Sequence, residues 1–127
     1  MGGLTEHARA LLLGRNFAHI ATVMPDGSPQ VSPVWVHFDG DDVIVNTAEG
    51  RVKTANVRRD PRIALSVLNQ DDPYEKVLIR GRVVEMTHER ADEGIDALSV
   101  KYHGHPYTKT PGQQRVILRI RPEHVTG

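Results

Sequence analysis

The sequence predicts a mainly β domain with short helices, an α+β fold of about six antiparallel strands closed as a barrel and carrying three helices. Three observations carry this. Short runs with period-two alternation or β-branched content recur along the 127 residues. Turn chemistry at Pro25-Asp26-Gly27-Ser28-Pro29 and at Asp39-Gly40-Asp41-Asp42 links neighbouring runs as hairpins. The runs do not alternate with helices as βαβ units would, which points to a Greek-key or meander barrel.

Leu4 to Leu13 reads as the first helix. Leu4, Ala8, Leu11 and Leu12 recur at helical spacing, Thr5 is the natural N-cap and Gly14 the stop. Phe17 to Val23 reads as a strand, with Ala18, Ile20 and Thr22 opposed to His19 and Ala21. The returning strand runs from Gln30 to Phe38. Pro33 within it cannot donate to a ladder, which calls for an edge or a bulge. Asp42 to Thr47 is the third strand. After Gly50, Arg51 to Arg59 is a short helix ended by Asp60-Pro61. Arg62 to Asn69 and Lys76 to Thr87 are strands, the second bent at Gly81. Thr87 to Val100 reads as a helix with Glu89, Asp92 and Glu93 near its start, where the helix dipole favours acids. Gln114 to Ile120 is the last strand, with Val116, Leu118 and Ile120 on one face.

At this length the expectation is one domain over residues 1–127. An apolar fraction of 39 % is low for a lone domain and favours a small barrel or an obligate dimer. With 16 Lys+Arg against 16 Asp+Glu, no global field steers the protein to nucleic acid or membrane, so a basic site must be local. The absence of cysteine removes disulfides, zinc ribbons and thiol catalysis. No apolar run approaches a membrane span, and the N-terminus lacks signal-peptide organisation, so the cytoplasm is the expected compartment.

The sharpest chemical signal is Gly50-Arg51-Val52-Lys53-Thr54-Ala55-Asn56. A strand runs here into a helix N-terminus, whose free N–H groups suit an anion. Two cations at that end oppose the helix dipole, which makes sense with a phosphate between them; the alternative is a solvated basic face. The glycine pattern of a Walker loop is absent. Among the seven histidines only His103 and His105 are close, without an acidic neighbour, so no metal site is expected. Arg58, Arg59 and Arg62 read as a charged helix flank rather than a nucleic-acid patch. Trp35, the single tryptophan, either lines a pocket or fills the core. Tyr102 and Tyr107 flank a Gly/Pro segment, either gating a pocket or packing as loop residues.

The succession Asp26-Gly27-Ser28-Pro29-Gln30, Ser32-Pro33-Val34-Trp35-Val36, Val45-Asn46-Thr47 and Gly50-Arg51-Val52-Lys53-Thr54-Ala55-Asn56-Val57-Arg58-Arg59-Asp60-Pro61 closely resembles the pyridoxamine-phosphate-oxidase-like superfamily of flavin and deazaflavin proteins. The nearest part of it is the short bacterial oxidoreductase branch (branch B) that binds coenzyme F420. Lys101 to Tyr107 is similar to a segment of that branch. The resemblance implies a six-stranded split β-barrel of the FMN-binding type and a homodimer with cofactor sites at the interface. It implies that Arg51 and Lys53 contact the cofactor phosphate with Asn56 in support, and that Asn46 and Thr47 lie near the ribityl chain. Ser32, Pro33, Val34 and Trp35 would run along the ring system, and Tyr102 and Tyr107 would stand at the pocket mouth. The expected function is an F420-dependent reductase passing a hydride to a small-molecule acceptor. The alternatives are an FMN-binding oxidoreductase of the same fold and a non-enzymatic protein that binds a cofactor or a tetrapyrrole. The chain ends soon after Arg121-Pro122-Glu123-His124, without the extension that holds substrate in pyridoxamine phosphate oxidases, so that activity is not expected. No acid or base is singled out for proton transfer; the chemistry would belong to the cofactor.

Overall fold

A computed structural model describes residues 3–127. Among these residues it contains three helices, α1 (Glu6–Leu13), α2 (Val52–Arg59) and α3 (Ala91–His103). Its seven strands are β1 (Ala18–Val23), β2 (Pro29–Val34), β3 (His37–Asp39), β4 (Asp42–Ala48), β5 (Arg62–Leu68), β6 (Lys76–Thr87) and β7 (Arg115–Thr126). They form one antiparallel sheet in the order β2-β1-β5-β6-β7-β4-β3.

The strand count exceeds the six expected because the run from Gln30 to Phe38 is divided. Pro33 pairs with His19 at one edge of the sheet, where a missing N–H is tolerated, and pairing on that edge ends at Val34. Pairing resumes at His37, on the opposite edge, against Ile44. Only Trp35 and Val36 lie between, so the two edges approach within about 11 Å, the reach of three extended residues. The sheet is therefore curled nearly into a barrel, yet no ladder joins β2 to β3 among the described residues. It is an open sheet, not a closed one.

The curled sheet encloses a core of Ile20, Val36, Val43, Val45, Val67, Val77, Ile79, Leu118 and Ile120, with α1 inserting Ala8, Leu11 and Leu12. Thr5 caps α1, its hydroxyl accepting from the Ala8 N–H at 3.0 Å. β6 alternates exposed and buried residues from Lys76 to Val84. Its bend falls where the register shifts, between Arg80 and Gly81. A Cβ on Gly81 would lie 2.1 Å from the Arg121 carbonyl oxygen, so the two strands meet there backbone to backbone. Pro122 sits opposite Gly81, at the irregularity that absorbs its missing donor, and β7 runs past it to Thr126 rather than ending at Ile120.

The third helix begins at Ala91, later than the Thr87 expected, because β6 stays paired through Thr87 with Ile117. Arg90 takes a left-handed conformation at φ 62°, and the helix closes on Gly104 at φ 84°.

Gly81→Ala places its methyl group against backbone that can yield only by separating β6 from β7. The expected loss of stability is about 1–3 kcal/mol, read as a lower urea midpoint.

Candidate functional site

The end of β4 and the start of α2 are locked together by threonines. The Thr54 hydroxyl donates to the Ala48 carbonyl at 2.8 Å and lies 3.2 Å from the Thr47 hydroxyl, both buried. This fixes the first turn of α2 beside the strand end, with Arg51 as an N-cap that makes no side-chain capping bond. Asn46, one residue upstream of Thr47, joins three elements. Its amide donates to the Ala91 carbonyl of α3 at 2.9 Å, and its Oδ1 accepts from the Arg115 Nε of β7 at 2.9 Å. α3 can come this close because Gly94 has no side chain: a Cβ there would lie 3.2 Å from the Asn46 Nδ2.

These contacts border a cavity of about 250 Å³ with two chemically distinct ends. Arg51, Lys53 and Arg115 converge at one, beside Asn46 and Thr47. Arg115 is only 7 % exposed. Its hydrogen bonds go to neutral groups, Asn46 and Gln113 Oε1, and its guanidinium lies 5.2 Å from the Tyr107 ring centroid. No carboxylate pairs with any of the three cations among the described residues. Burial lowers the Lys53 ammonium below its ordinary pKa, and Arg51 and Arg115 lower it further. Burial is also the main cause of a lowered Arg115 pKa. An anion here would relieve both.

The other end is apolar. Phe17, Pro33, Val34, Trp35 and Ile95 line it, and the Tyr107 ring adjoins both Trp35 and Arg115. The Trp35 ring is stacked on Tyr102 behind it, with centroids 5.3 Å apart and planes 8° apart, and Tyr107 meets it edge-on at 6.3 Å. A flat aromatic wall leading to a cation cluster suits a planar ring system with an anionic tail.

Of the residues singled out from the sequence, Pro33, Val34, Trp35, Asn46, Thr47, Arg51, Lys53 and Tyr107 come together around this cavity. Ser32, Asn56 and Tyr102 do not. The Ser32 hydroxyl is buried without a hydrogen-bond partner among the described residues. Asn56 faces β1, donating to the Thr22 hydroxyl at 3.0 Å and accepting from Arg59, so it pins α2 to the sheet. Tyr102 lies behind Trp35, where its hydroxyl donates to the Asn16 carbonyl at 2.6 Å. Arg115, Phe17 and Ile95 also line the cavity, though the sequence does not single them out as site residues. Arg115 begins a strand whose alternation puts it with Ile117 on the face away from the core; the structure keeps it there, and Asn46 and α3 cover that face.

Residues 4–127 match the pyridoxamine 5'-phosphate oxidase family. The chain is 30% identical over 129 residues to an F420H(2)-dependent biliverdin reductase of Mycobacterium tuberculosis, covering 98% of this chain and 88% of that protein. A solved F420 reductase superimposes with a TM-score of 0.86 at 31% identity, covering 97% of this chain and 98% of that one. A putative pyridoxamine 5'-phosphate oxidase from Listeria innocua shares the fold, with a TM-score of 0.69 at 21% identity over 92% of this chain and 91% of that one.

One group in α3, next to Tyr102, titrates within reach of experiment. Burial lowers Lys101 from an ordinary 10.5 to about 8. Between those values the unfolded chain holds a proton that the folded protein lacks, so this group's contribution to stability rises with pH across that window. Urea denaturation of the wild type and Lys101→Met at pH 7.5 and 10 should show the wild type gaining relative to the variant. NMR of isotopically methylated lysines should find Lys101 titrating well below an ordinary 10.5.

Proposed function

This chain belongs to the pyridoxamine 5'-phosphate oxidase family, and from that premise we propose that it is an F420-dependent reductase acting on a small-molecule acceptor. The observation that carries the reading is the convergence of Arg51, Lys53 and Arg115, without a paired carboxylate, in a cavity that Trp35 and Tyr107 also wall. The relatedness to an F420H(2)-dependent biliverdin reductase and to an F420 reductase supports F420 over FMN as the group that fills it.

In this reading Arg51, Lys53 and Arg115 hold the cofactor phosphate through charge-assisted hydrogen bonds. Asn46 orients Arg115 by occupying its Nε, and Thr47, on the cavity wall, would lie near the ribityl chain. Pro33, Val34 and Trp35 form the surface along which the ring lies, with Phe17 and Tyr107 excluding water from its edges. The bound deazaflavin supplies the hydride, while the protein contributes orientation and electrostatics. An acceptor of the linear tetrapyrrole class, as in the mycobacterial relative, is the first to test.

The whole chain acts in this reading as one cofactor-binding domain and assembles as a homodimer. The outer face of β1, β2, β5 and β6 supports the dimer. It carries a hollow of about 390 Å³ walled by Ala21, Val31, Ala64 and Leu78, with Val31 63% and Leu78 44% exposed. Apolar side chains around one hollow fit a second copy better than water. No helix among the described residues is long and apolar enough to cross a membrane. The cytoplasm is the compartment that a pool of reduced cofactor implies.

Titration with F420 and FMN should give saturable binding of F420 with the higher affinity, and reduced F420 should be consumed on adding biliverdin. Tight FMN binding with no affinity for F420 would instead favour the flavin-dependent alternative. Lys53→Ala and Arg115→Gln should each weaken F420 by about 1.5–3 kcal/mol, the loss of one charge-assisted contact, whereas Asn56→Ala should act mainly on stability. Light scattering should report a dimer that Leu78→Arg dissociates.

A further inference from the structure

Val36 is fully buried and lies between two strands, so neither its N–H nor its carbonyl has a ladder partner. Two consecutive residues of α3 take both. The Tyr102 hydroxyl accepts from the Val36 N–H at 3.2 Å and donates to the Asn16 carbonyl at 2.6 Å. The Lys101 ammonium donates to the Val36 carbonyl at 2.7 Å and to the Leu12 carbonyl at 2.6 Å. Leu12 lies in the last turn of α1, and Asn16 is tied back to Leu11 and forward to Gln70. The grip therefore connects α1, α3 and the strand break in one network.

Trp35 is the residue next to this grip. Its ring rests on the Tyr102 ring and meets His103 edge-on at 5.1 Å. Phe17, on the other side, packs against the same tyrosine at 5.5 Å. The aromatic end of the cavity thus stands on Tyr102, and the backbone that carries Trp35 is held by Tyr102 and Lys101.

We infer that Lys101 and Tyr102 are positioning residues for the cofactor: by holding both backbone groups of Val36 they fix the Trp35 ring in the plane against which the bound ring system packs. The inference about the cofactor rests on the proposed function, but the hold on Trp35 does not. Without Tyr102 the Val36 N–H becomes a buried orphan, and the break between β2 and β3 must shift to hydrate it. Such a shift turns the indole even where the fold survives. Lys101 acts through the carbonyl of the same residue, so its loss should move the indole in the same sense.

The single tryptophan makes this measurable. Tyr102→Phe keeps the stacked ring and removes the hydroxyl; Lys101→Met keeps the stem and removes the charge. Tyr74→Phe, at a residue 92% exposed, and Lys76→Met are the controls. In the ligand-free folded variants, Trp35 emission should move to longer wavelength, with acrylamide quenching about twofold stronger. The Kd for F420, or for FMN if that is what the wild type binds, should rise about tenfold, the equivalent of one hydrogen bond. The controls should match the wild type in all three.

A merely structural role would lower the melting temperature and leave the emission, quenching and affinity of the folded variants unchanged; that result overturns the inference. An emission change with unaltered affinity also overturns it. If the wild type binds neither cofactor, the proposed function fails, while the ligand-free fluorescence still decides the hold on Trp35. If Tyr102→Phe does not fold, Lys101→Met and hydrogen exchange of the wild-type Val36 amide decide. Protection like that of ladder amides supports the grip, and exchange at open-loop rates overturns it.

Discussion

Both edges of the sheet are joined through Trp35 and Val36, and much of the molecule is arranged around that short connection. A sheet curled this far would ordinarily close by pairing its first and last strands. Here two residues cross the gap, leaving the N–H and the carbonyl of Val36 buried without ladder partners. Unsatisfied backbone groups in a core are costly, so the elements around the gap supply partners from side chains. The C-terminal half of α3 supplies them, and the end of α1 supplies the carbonyls that anchor the same side chains. The seam that leaves the sheet unpaired is also where Trp35 meets the cavity.

Charge is organised by the same logic of local compensation. The chain is neutral overall, and most surface cations are paired, as with Arg58 on Glu49 and Arg119 on Asp39 and Asp42. Arg51, Lys53 and Arg115 are the exception within the cavity. Burial raises the cost of keeping Lys53 and Arg115 charged, and mutual repulsion adds to it. An anionic ligand would recover that cost on binding, so a local instability becomes a source of affinity. Asn46 holds the arrangement without neutralising it, since an amide can orient a guanidinium but cannot cancel its charge.

Local chemistry made several features legible in the sequence. The Thr5 cap, the hairpin turns, the bend at Gly81 and the start of α2 after Gly50 each depend on a few adjacent residues, and the structure places them where those residues indicate. Arg51 and Lys53 stood out for a related reason: two cations at a helix start oppose the dipole there. The residues that changed meaning are those whose partners are distant in sequence. Asn56 shares a helix with Lys53 but turns to Thr22, 34 residues away. Tyr102 and Tyr107 lie close in sequence, yet one supports Trp35 from behind and the other borders the cavity.

The sequence by itself determined the type and approximate order of the elements, because hydrophobic period, turn residues and caps act over a few positions. It also marked the basic helix start, whose anomaly is local. Only the tertiary structure decided that the strand containing Pro33 divides between opposite edges, since that depends on how far the whole sheet curls. Only it showed that Arg115 joins Arg51 and Lys53 in a buried site, because Asn46, 69 residues earlier, and α3 cover the face of β7 that carries it. Alternation records which face a side chain takes; whether that face meets water or another element depends on how segments distant in sequence pack over it.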